Sequence, residues 1–388
     1  MADPLLPYGR QTIEADDIAA VAEALASDFL TTGPRVEAFE RAFAAKVGAP
    51  HAVCCSNGTA ALHLSMLALG IGSQDVCIVP SVTFLATANC VGFVGARVVF
   101  SDVDPRTGLM GPEHLAEALD RLGGGRLRAV IPVHLRGEVA DLAGLQVLAA
   151  EAGAVLVEDA AHALGSQARF QSSPELVGSC TRSALTTFSF HPVKTIATGE
   201  GGMVTTRDPA LAERVARFRS HGMIRPAGAA PWVYEMPEPG FNYRLPDILC
   251  ALGLSQLAKL DRFAERRQQL CALYRQGLEA FAPYVESAAI PAWSQSAPHL
   301  MSVLIDFDAL GRSRAEVVRT LAAGGVNTQV HYIPVHTQPY YQGLGQPQLP
   351  GADAWYRRCL SLPLYPAMRD VDVERVLDAL AEALGIRR

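Results

Sequence analysis

The segment Thr186-Thr-Phe-Ser-Phe-His-Pro-Val-Lys-Thr-Ile-Ala-Thr-Gly-Glu-Gly-Gly202 sets a lone lysine, Lys194, between two kinds of backbone. Thr187 to Phe190 is β-branched and aromatic and reads as a buried strand. Pro192 then removes a donor and turns the chain. Thr198-Gly-Glu-Gly-Gly202 places three glycines in four positions, which permits positive φ and a close approach of backbone to another body. Lys194 is thus delivered from a strand end into a loop that makes room for something. Partial desolvation or neighbouring cations would turn such an amine into a nucleophile, whereas a solvated one would be an ordinary surface lysine. The segment alone leaves both readings open.

Upstream, His51 to Cys55 reads as a strand running into Ser56-Asn-Gly-Thr-Ala, where Leu62, Met66 and Leu69 resume helical spacing. A strand, a tight turn and a helix N-terminus expose free N–H groups. Gly58 allows close approach there and Thr59 offers a hydroxyl, so the turn either binds phosphate or simply caps the helix. The strand Ala154 to Asp159 ends on two carboxylates at the edge where ligands of open α/β sheets sit, with Ala160-Ala-His-Ala-Leu-Gly165 following. Asp159 there is either a functional acid or a helix cap.

Together these segments resemble the pyridoxal-phosphate-dependent nucleotide-sugar aminotransferases over residues 6 to 386. The resemblance is densest at Ser56 to His63, Glu158 to Gly165, Ser189 to Gly202, Phe241 to Gln256 and Gln329 to His336. It implies an α/β fold of the fold-type-I, aspartate-aminotransferase-like class, with a large, mostly parallel sheet domain (residues 1–250) and a smaller C-terminal α+β domain (251–388). It implies pyridoxal 5'-phosphate (PLP), cycling through pyridoxamine phosphate, with Lys194 as the Schiff-base lysine and the base. Gly58, Thr59 and Ala60 match the phosphate cup, Ser189 a phosphate-contacting hydroxyl, and Phe84 the ring stacked on the pyridine. Asp159 matches the carboxylate opposite the pyridine nitrogen, and His162 the residue beside the ring and its 3-hydroxyl. Asn242, in Gly240-Phe-Asn-Tyr-Arg244, matches an asparagine that reaches the phosphate of the neighbouring subunit, which implies a homodimer with shared sites. His331 and Tyr332 fall on the substrate side, and Arg225 and Arg244 in the loop 222–244 are candidate diphosphate partners.

Within the family, Tyr8-Gly-Arg-Gln, Arg219 to Met223, Ala251 to Gln256 and Ser361 to Tyr365 most resemble the subgroup of the pseudaminic acid pathway. That subgroup aminates C4 of a UDP-linked 4-keto-6-deoxy-N-acetyl sugar, with glutamate as the expected donor. The alternatives are transaminases for GDP-perosamine or a bacillosamine precursor. Related sugar dehydratases carry histidine in place of the lysine, and a non-catalytic relative would lack Lys194 or Asp159; both residues are present.

Composition narrows the rest. With 388 residues, 49% hydrophobic, the chain is long enough for a large core. Net charge is -6, from 33 basic and 39 acidic residues without a basic run, which gives no indication of a nucleic-acid or anionic-membrane surface. No apolar run approaches a membrane span and Met1 to Tyr8 has no leader pattern, so a cytoplasmic protein is expected. The eight cysteines, scattered without a CxxC pair, read as buried thiols. His331, Tyr332 and His336 invite a metal reading, but no carboxylate or cysteine stands beside them at ligand spacing. Four prolines in the loop 222–244 predict about 20 residues without regular structure, a length usually reserved for function. Remaining expectations are a first helix capped by Thr12 with Ile18, Val21 and Leu25 as its apolar stripe, one long helix over 246–278, and strands at 129–134, 299–307 and 326–332.

Overall fold

The computed structural model describes residues 5–170, 173–345 and 347–387, so Met1 to Pro4, read above for a leader, lie outside the described residues. The chain opens with α1 (Ala15–Leu25), α2 (Pro34–Val47), β1 (His51–Cys55), α3 (Gly58–Ala68), β2 (Asp75–Pro80), α4 (Leu85–Phe93), β3 (Arg97–Ser101), α5 (Pro112–Asp120), β4 (Arg126–Val130), α6 (Leu142–Glu151) and β5 (Val155–Asp159). The short strands β6 (Gln167–Ala168) and β7 (Glu175–Leu176) precede β8 (Leu185–Ser189), β9 (Gly202–Thr206) and α7 (Pro209–Arg219). After the loop come α8 (Asp247–Leu257), α9 (Leu260–Leu278), β10 (Val285–Ser287), β11 (Ser294–Gln295), β12 (Met301–Ile305), α10 (Arg314–Ala323), α11 (Pro339–Gln342), α12 (Pro350–Arg358), β13 (Cys359–Leu362) and α13 (Asp370–Leu384).

Seven strands form one sheet in the order β1-β9-β8-β5-β4-β2-β3. Pairings along β8, β5, β4, β2 and β3 are parallel, and β9 pairs antiparallel with both β8 and β1. Six strands therefore point one way and only β9 opposes them. β2 is buried at all six positions, and its apolar run from Val76 to Pro80 reflects cover on both faces. Phe39 and Phe43 of α2 pack on Phe188 and Phe190 with ring centroids 5.0 to 5.6 Å apart across the helix-sheet contact. Each such buried ring contributes about 1.5–3 kcal/mol and fixes β8 under the helix. A second sheet, β10-β12-β13, is antiparallel and carries its own apolar cluster from α9, α10 and α13.

Several expectations need correction. Glu14, not Thr12, caps α1, because its backbone N–H and the Asp17 carboxylate close a capping box at 2.8 Å. The stripe of α1 faces outward in the single chain, with Ile18 64% and Leu25 57% exposed, while Asp17 and Ala24 face in. The long helix is two helices, broken where Lys259 turns its ammonium onto Asp16 at 2.8 Å and Asp17 at 2.7 Å. Residues 326–332 make only isolated bridges, Leu6 to Val326 and Gln329 to Ser361, since the edge they would pair with is divided between two segments. The strand beside β12 is instead β13, which ends against Pro363 and is too short for its pattern to stand out. β4 begins at Arg126, three residues earlier than its apolar core, and stops at Val130 before Pro132. All eight cysteines are buried and free. The loop 222–244 carries neither helix nor strand, only the bridges Ser220 to Asn242 and Ile224 to Glu235.

Candidate active site

The single antiparallel strand creates the site. Gly202, the first residue of β9, pairs with Cys55 at the end of β1 and with Ser189 at the end of β8, so three chain reversals meet at one sheet edge. β5 ends on Asp159 at the same edge, and β2 ends just before the turn to Phe84. The result is a cavity of about 690 Å³, within the range of small-molecule sites. Its wall includes Gly58, Thr59, Phe84, Asp159, His162, Ser189, Lys194, His331 and Tyr332. Ala60 is buried just behind it.

Lys194 sits on a loop closed by Phe190 N–H to Gly201 O (2.8 Å) and Thr198 N–H to Phe190 O (2.9 Å). Ile196 and Ala197 are buried, and Ala197 N–H reaches Gln256 Oε1 of α8 at 3.3 Å. The side chain keeps partial access to the cavity but lies deep in protein, and burial lowers its proton affinity from 10.5 to about 8, Asp159 opposing the shift. A signal overlooked in the sequence is that the chain has only three lysines. Lys46 is paired with Asp261 at 2.7 Å and Lys259 with Asp16 and Asp17, whereas Lys194 has no ion-pair partner among the described residues.

Asp159 is 5% exposed. Its Oδ2 accepts from Thr87 Oγ1 at 2.7 Å, its Oδ1 from Ala161 N–H at 3.1 Å, and Thr83 Oγ1 lies 2.7 Å from Thr87 Oγ1. The acid is thus held at the strand end by the first turn of α4 rather than spent on capping. At α3, Asn57 Oδ1 takes the Ala60 N–H at 2.8 Å, which leaves those of Gly58 and Thr59 without an acceptor among the described residues. A Cβ on Gly58 would sit 2.8 Å from Ser189 Cβ and 3.2 Å from its Oγ, so the glycine keeps the hydroxyl and the helix N-terminus in one recess. Two N–H groups, a hydroxyl and a helix dipole can together cradle a phosphate.

His162 is buried at 6% exposure, Phe84 is 56% exposed at the mouth, and the Phe84 ring lies 6.0 Å from that of Tyr332. His331 Nδ1 bonds Ser361 Oγ at 2.9 Å, and burial beside Lys194 pushes its imidazole down to about 3. His336 turns away to Ser81 Oγ at 2.5 Å, so the two histidines do not converge on one point. Three sequence-derived candidates stay outside the cavity of the single chain. Asn242 is exposed and bridged to Ser220, Arg225 is exposed with its guanidinium on Pro231 O at 2.8 Å, and Arg244 is partly buried elsewhere. Sequence reading missed Thr83 and Thr87, whose i, i+4 spacing after β2 was the available signal. It also missed His299, which arrives from 137 residues beyond His162 and lines the cavity with its ring centroid 4.3 Å away.

A desolvated amine, a carboxylate anchored opposite and a phosphate cradle together fit PLP, whose aldehyde, ring nitrogen and phosphate call for those three partners. Comparisons with known proteins agree. The model of the DegT/DnrJ/EryC1/StrS aminotransferase family matches residues 11–381. The spore coat polysaccharide biosynthesis protein SpsC of Bacillus subtilis is 37% identical over 390 residues, covering 97% of this chain and 96% of that protein. Helicobacter pylori PseC, an aminotransferase involved in the biosynthesis of pseudaminic acid, superposes with a TM-score of 0.89 at 28% identity, covering 98% of this chain and 99% of PseC. Spr1654 of Streptococcus pneumoniae, assigned as a sugar aminotransferase, is solved in a PLP form and a PMP form. These match at 27% identity with TM-scores of 0.88 and 0.89, each covering 98% of this chain and 99% of its own. The chain belongs to the DegT/DnrJ/EryC1/StrS family of PLP-dependent sugar aminotransferases.

Proposed function

We propose that the protein transfers an amino group from glutamate to C4 of a UDP-linked 4-keto-6-deoxy-N-acetyl sugar. The observation that carries the aminotransferase chemistry is the unpaired, desolvated Lys194 in one cavity with Asp159 and the α3 recess. The similarity to PseC over nearly the whole of both chains supports the choice of sugar. The higher identity to SpsC favours a second reading, another nucleotide-linked keto sugar.

When bound, PLP supplies an aldehyde carbon for an amine and a cationic ring that accepts the electron pair released at the donor's α-carbon. Lys194 Nζ would hold the group, then, once displaced by the donor, take the proton from that α-carbon and later return a proton to the sugar carbon. Asp159, fixed by Thr87 and Ala161, would keep a proton on the ring nitrogen. Gly58, Thr59 and Ser189 would hold the phosphate, the Ala60 N–H being already taken by Asn57, Phe84 would cover a ring face, and His162 would lie beside the ring and its 3-hydroxyl. His331 and Tyr332 would meet the sugar.

The proposal includes a homodimer in which Asn242, Arg225 and Arg244 serve the neighbouring cavity, because none of them reaches the cavity of its own chain. The exposed Ile18, Leu25, Phe29 and Leu30 support a covering partner. A division into residues 1–250 and 251–388 is supported by the separate apolar cluster between Leu270 and Leu384, which Leu6 also joins. A cytoplasmic site of action fits the buried thiols; no helix of the described residues is long and apolar enough to cross a membrane. The test is to incubate the enzyme with glutamate and UDP-, GDP- and dTDP-linked 4-keto-6-deoxy sugars. The UDP-linked ketone should give the highest kcat/KM, and a preference of about a hundredfold for another nucleotide would overturn the sugar while leaving the chemistry.

A further inference from the structure

His162 is approached from two sides by groups whose roles fix its proton. The backbone N–H of Arg136 points at His162 Nδ1 from 3.3 Å, and a backbone N–H can only donate. Nδ1 is therefore the lone-pair nitrogen. A neutral imidazole then carries its proton on Nε2, which lies 3.1 Å from Tyr332 Oη. The ring must be the donor in that contact, so the hydroxyl oxygen of Tyr332 accepts and its own proton remains unused. No other partner for Tyr332 Oη occurs among the described residues, and Tyr332 lines the cavity.

The donor that sets this chain is rigid. Arg136 is 4% exposed at φ 67°, a left-handed conformation uncommon off glycine. Its carbonyl takes the His299 N–H at 2.8 Å, and its guanidinium donates to Ala289 O at 2.8 Å. The His299 ring packs against His162, and turning the imidazole over would put carbon where each of its two bonds now has nitrogen. Burial and the nearby Lys194 also hold His162 well below the ordinary histidine range, so the neutral form persists.

We infer that the Arg136 N–H fixes His162 as its Nε2–H tautomer, that this ring donates to Tyr332, and that Tyr332 presents its hydroxyl proton to an acceptor oxygen in the cavity. The acceptor is an oxygen on the bound ligands, either the cofactor's ring oxygen or the sugar's ketone oxygen. The ketone case rests on the nucleotide-sugar reading above. His162 is a positioning residue in this chain and Tyr332 the group that touches ligand.

The test combines a spectrum with a kinetic split. In 15N-histidine-labelled holoenzyme, the signal lost in His162→Gln should show a protonated Nε2 and a bare Nδ1; a proton on Nδ1 would overturn the inference. The donor and sugar half-reactions of Tyr332→Phe are then timed separately. Slowing of the sugar half by at least about tenfold more than the donor half identifies the ketone oxygen, as expected for loss of one buried hydrogen bond. Slowing of both halves, with a moved pH midpoint in the cofactor's visible absorbance, identifies the ring oxygen. Rates within about twofold of wild type in both halves would refute the role of Tyr332. His162→Gln, whose amide can accept from Arg136 and donate to Tyr332, should recover at least about tenfold over His162→Leu. Equal impairment of the two variants would contradict the polarity of the chain. If the wild type aminates no nucleotide sugar, the sugar reading fails, while the histidine spectrum and the donor half-reaction still decide this inference.

Discussion

At the scale of the residue, the proposed chemistry rests on what burial does to Lys194. Removing water penalises the ammonium, so half of the side chain should be amine near pH 8 instead of 10.5. At pH 7.5 that makes roughly one molecule in four competent, against about one in a thousand for a solvated lysine. Capture of PLP by the apoprotein should therefore quicken about tenfold per pH unit below 8 and level off above it; a rate still climbing at pH 10 would show a solvated amine. Asp159→Asn should fold normally and lose turnover by at least about a hundredfold, because an amide cannot keep the ring nitrogen charged. Activity within tenfold of wild type would reduce Asp159 to a structural acid. Lys194 and Asp159 stood out in the sequence because each lies in a segment that resembles a family motif, Asp159 at the end of β5 and Lys194 in the loop after β8. The threonines that hold Asp159, and the Arg136 N–H that orients His162, were not. Both act through geometry that only the folded sheet brings about.

Among the elements, the recess between α3 and β8 depends on the missing side chain of Gly58. Gly58→Ala would push a methyl to 2.8 Å from Ser189 Cβ and should weaken PLP retention by about tenfold with little loss of fold, measured by dialysis against buffer. A second contact ties α8 to α2. The buried Asp247 carboxylate takes the N–H groups of Gly33 at 2.6 Å and Arg35 at 3.0 Å, capping α2 from another helix. Asp247→Ala should lower stability by about 2–3 kcal/mol in urea unfolding, since two helix-end donors lose a charged acceptor. The strands ending at Cys55 and Asp159 and the helix that starts at Gly58 were readable because hydrophobic period and turn residues agree there, whereas α4 and the two-residue strands β6 and β7 were not anticipated. Pattern fails where tertiary partners decide. The apolar pattern of residues 326–332 is divided between Leu6 and Ser361, and the uninterrupted helical pattern of 246–278 is broken by the ion cluster at Lys259, which no local signal marks.

For the whole molecule, the exposed apolar residues of α1 and the loop 222–244, with Trp232 78% exposed, fit a chain that completes its sites by pairing. Light scattering should give twice the 41.4 kDa chain mass, and Asn242→Ala subunits exchanged with Lys194→Ala subunits should give activities that depart from the average of the two parents. Strict additivity after demonstrated exchange would keep each site within one chain. The most direct test of the account is to reduce the PLP-loaded enzyme with borohydride, digest it and locate the retained cofactor. With only three lysines to choose from, the added mass should fall on the peptide containing Lys194. Recovery on Lys46 or Lys259, or on no lysine at all, would contradict it.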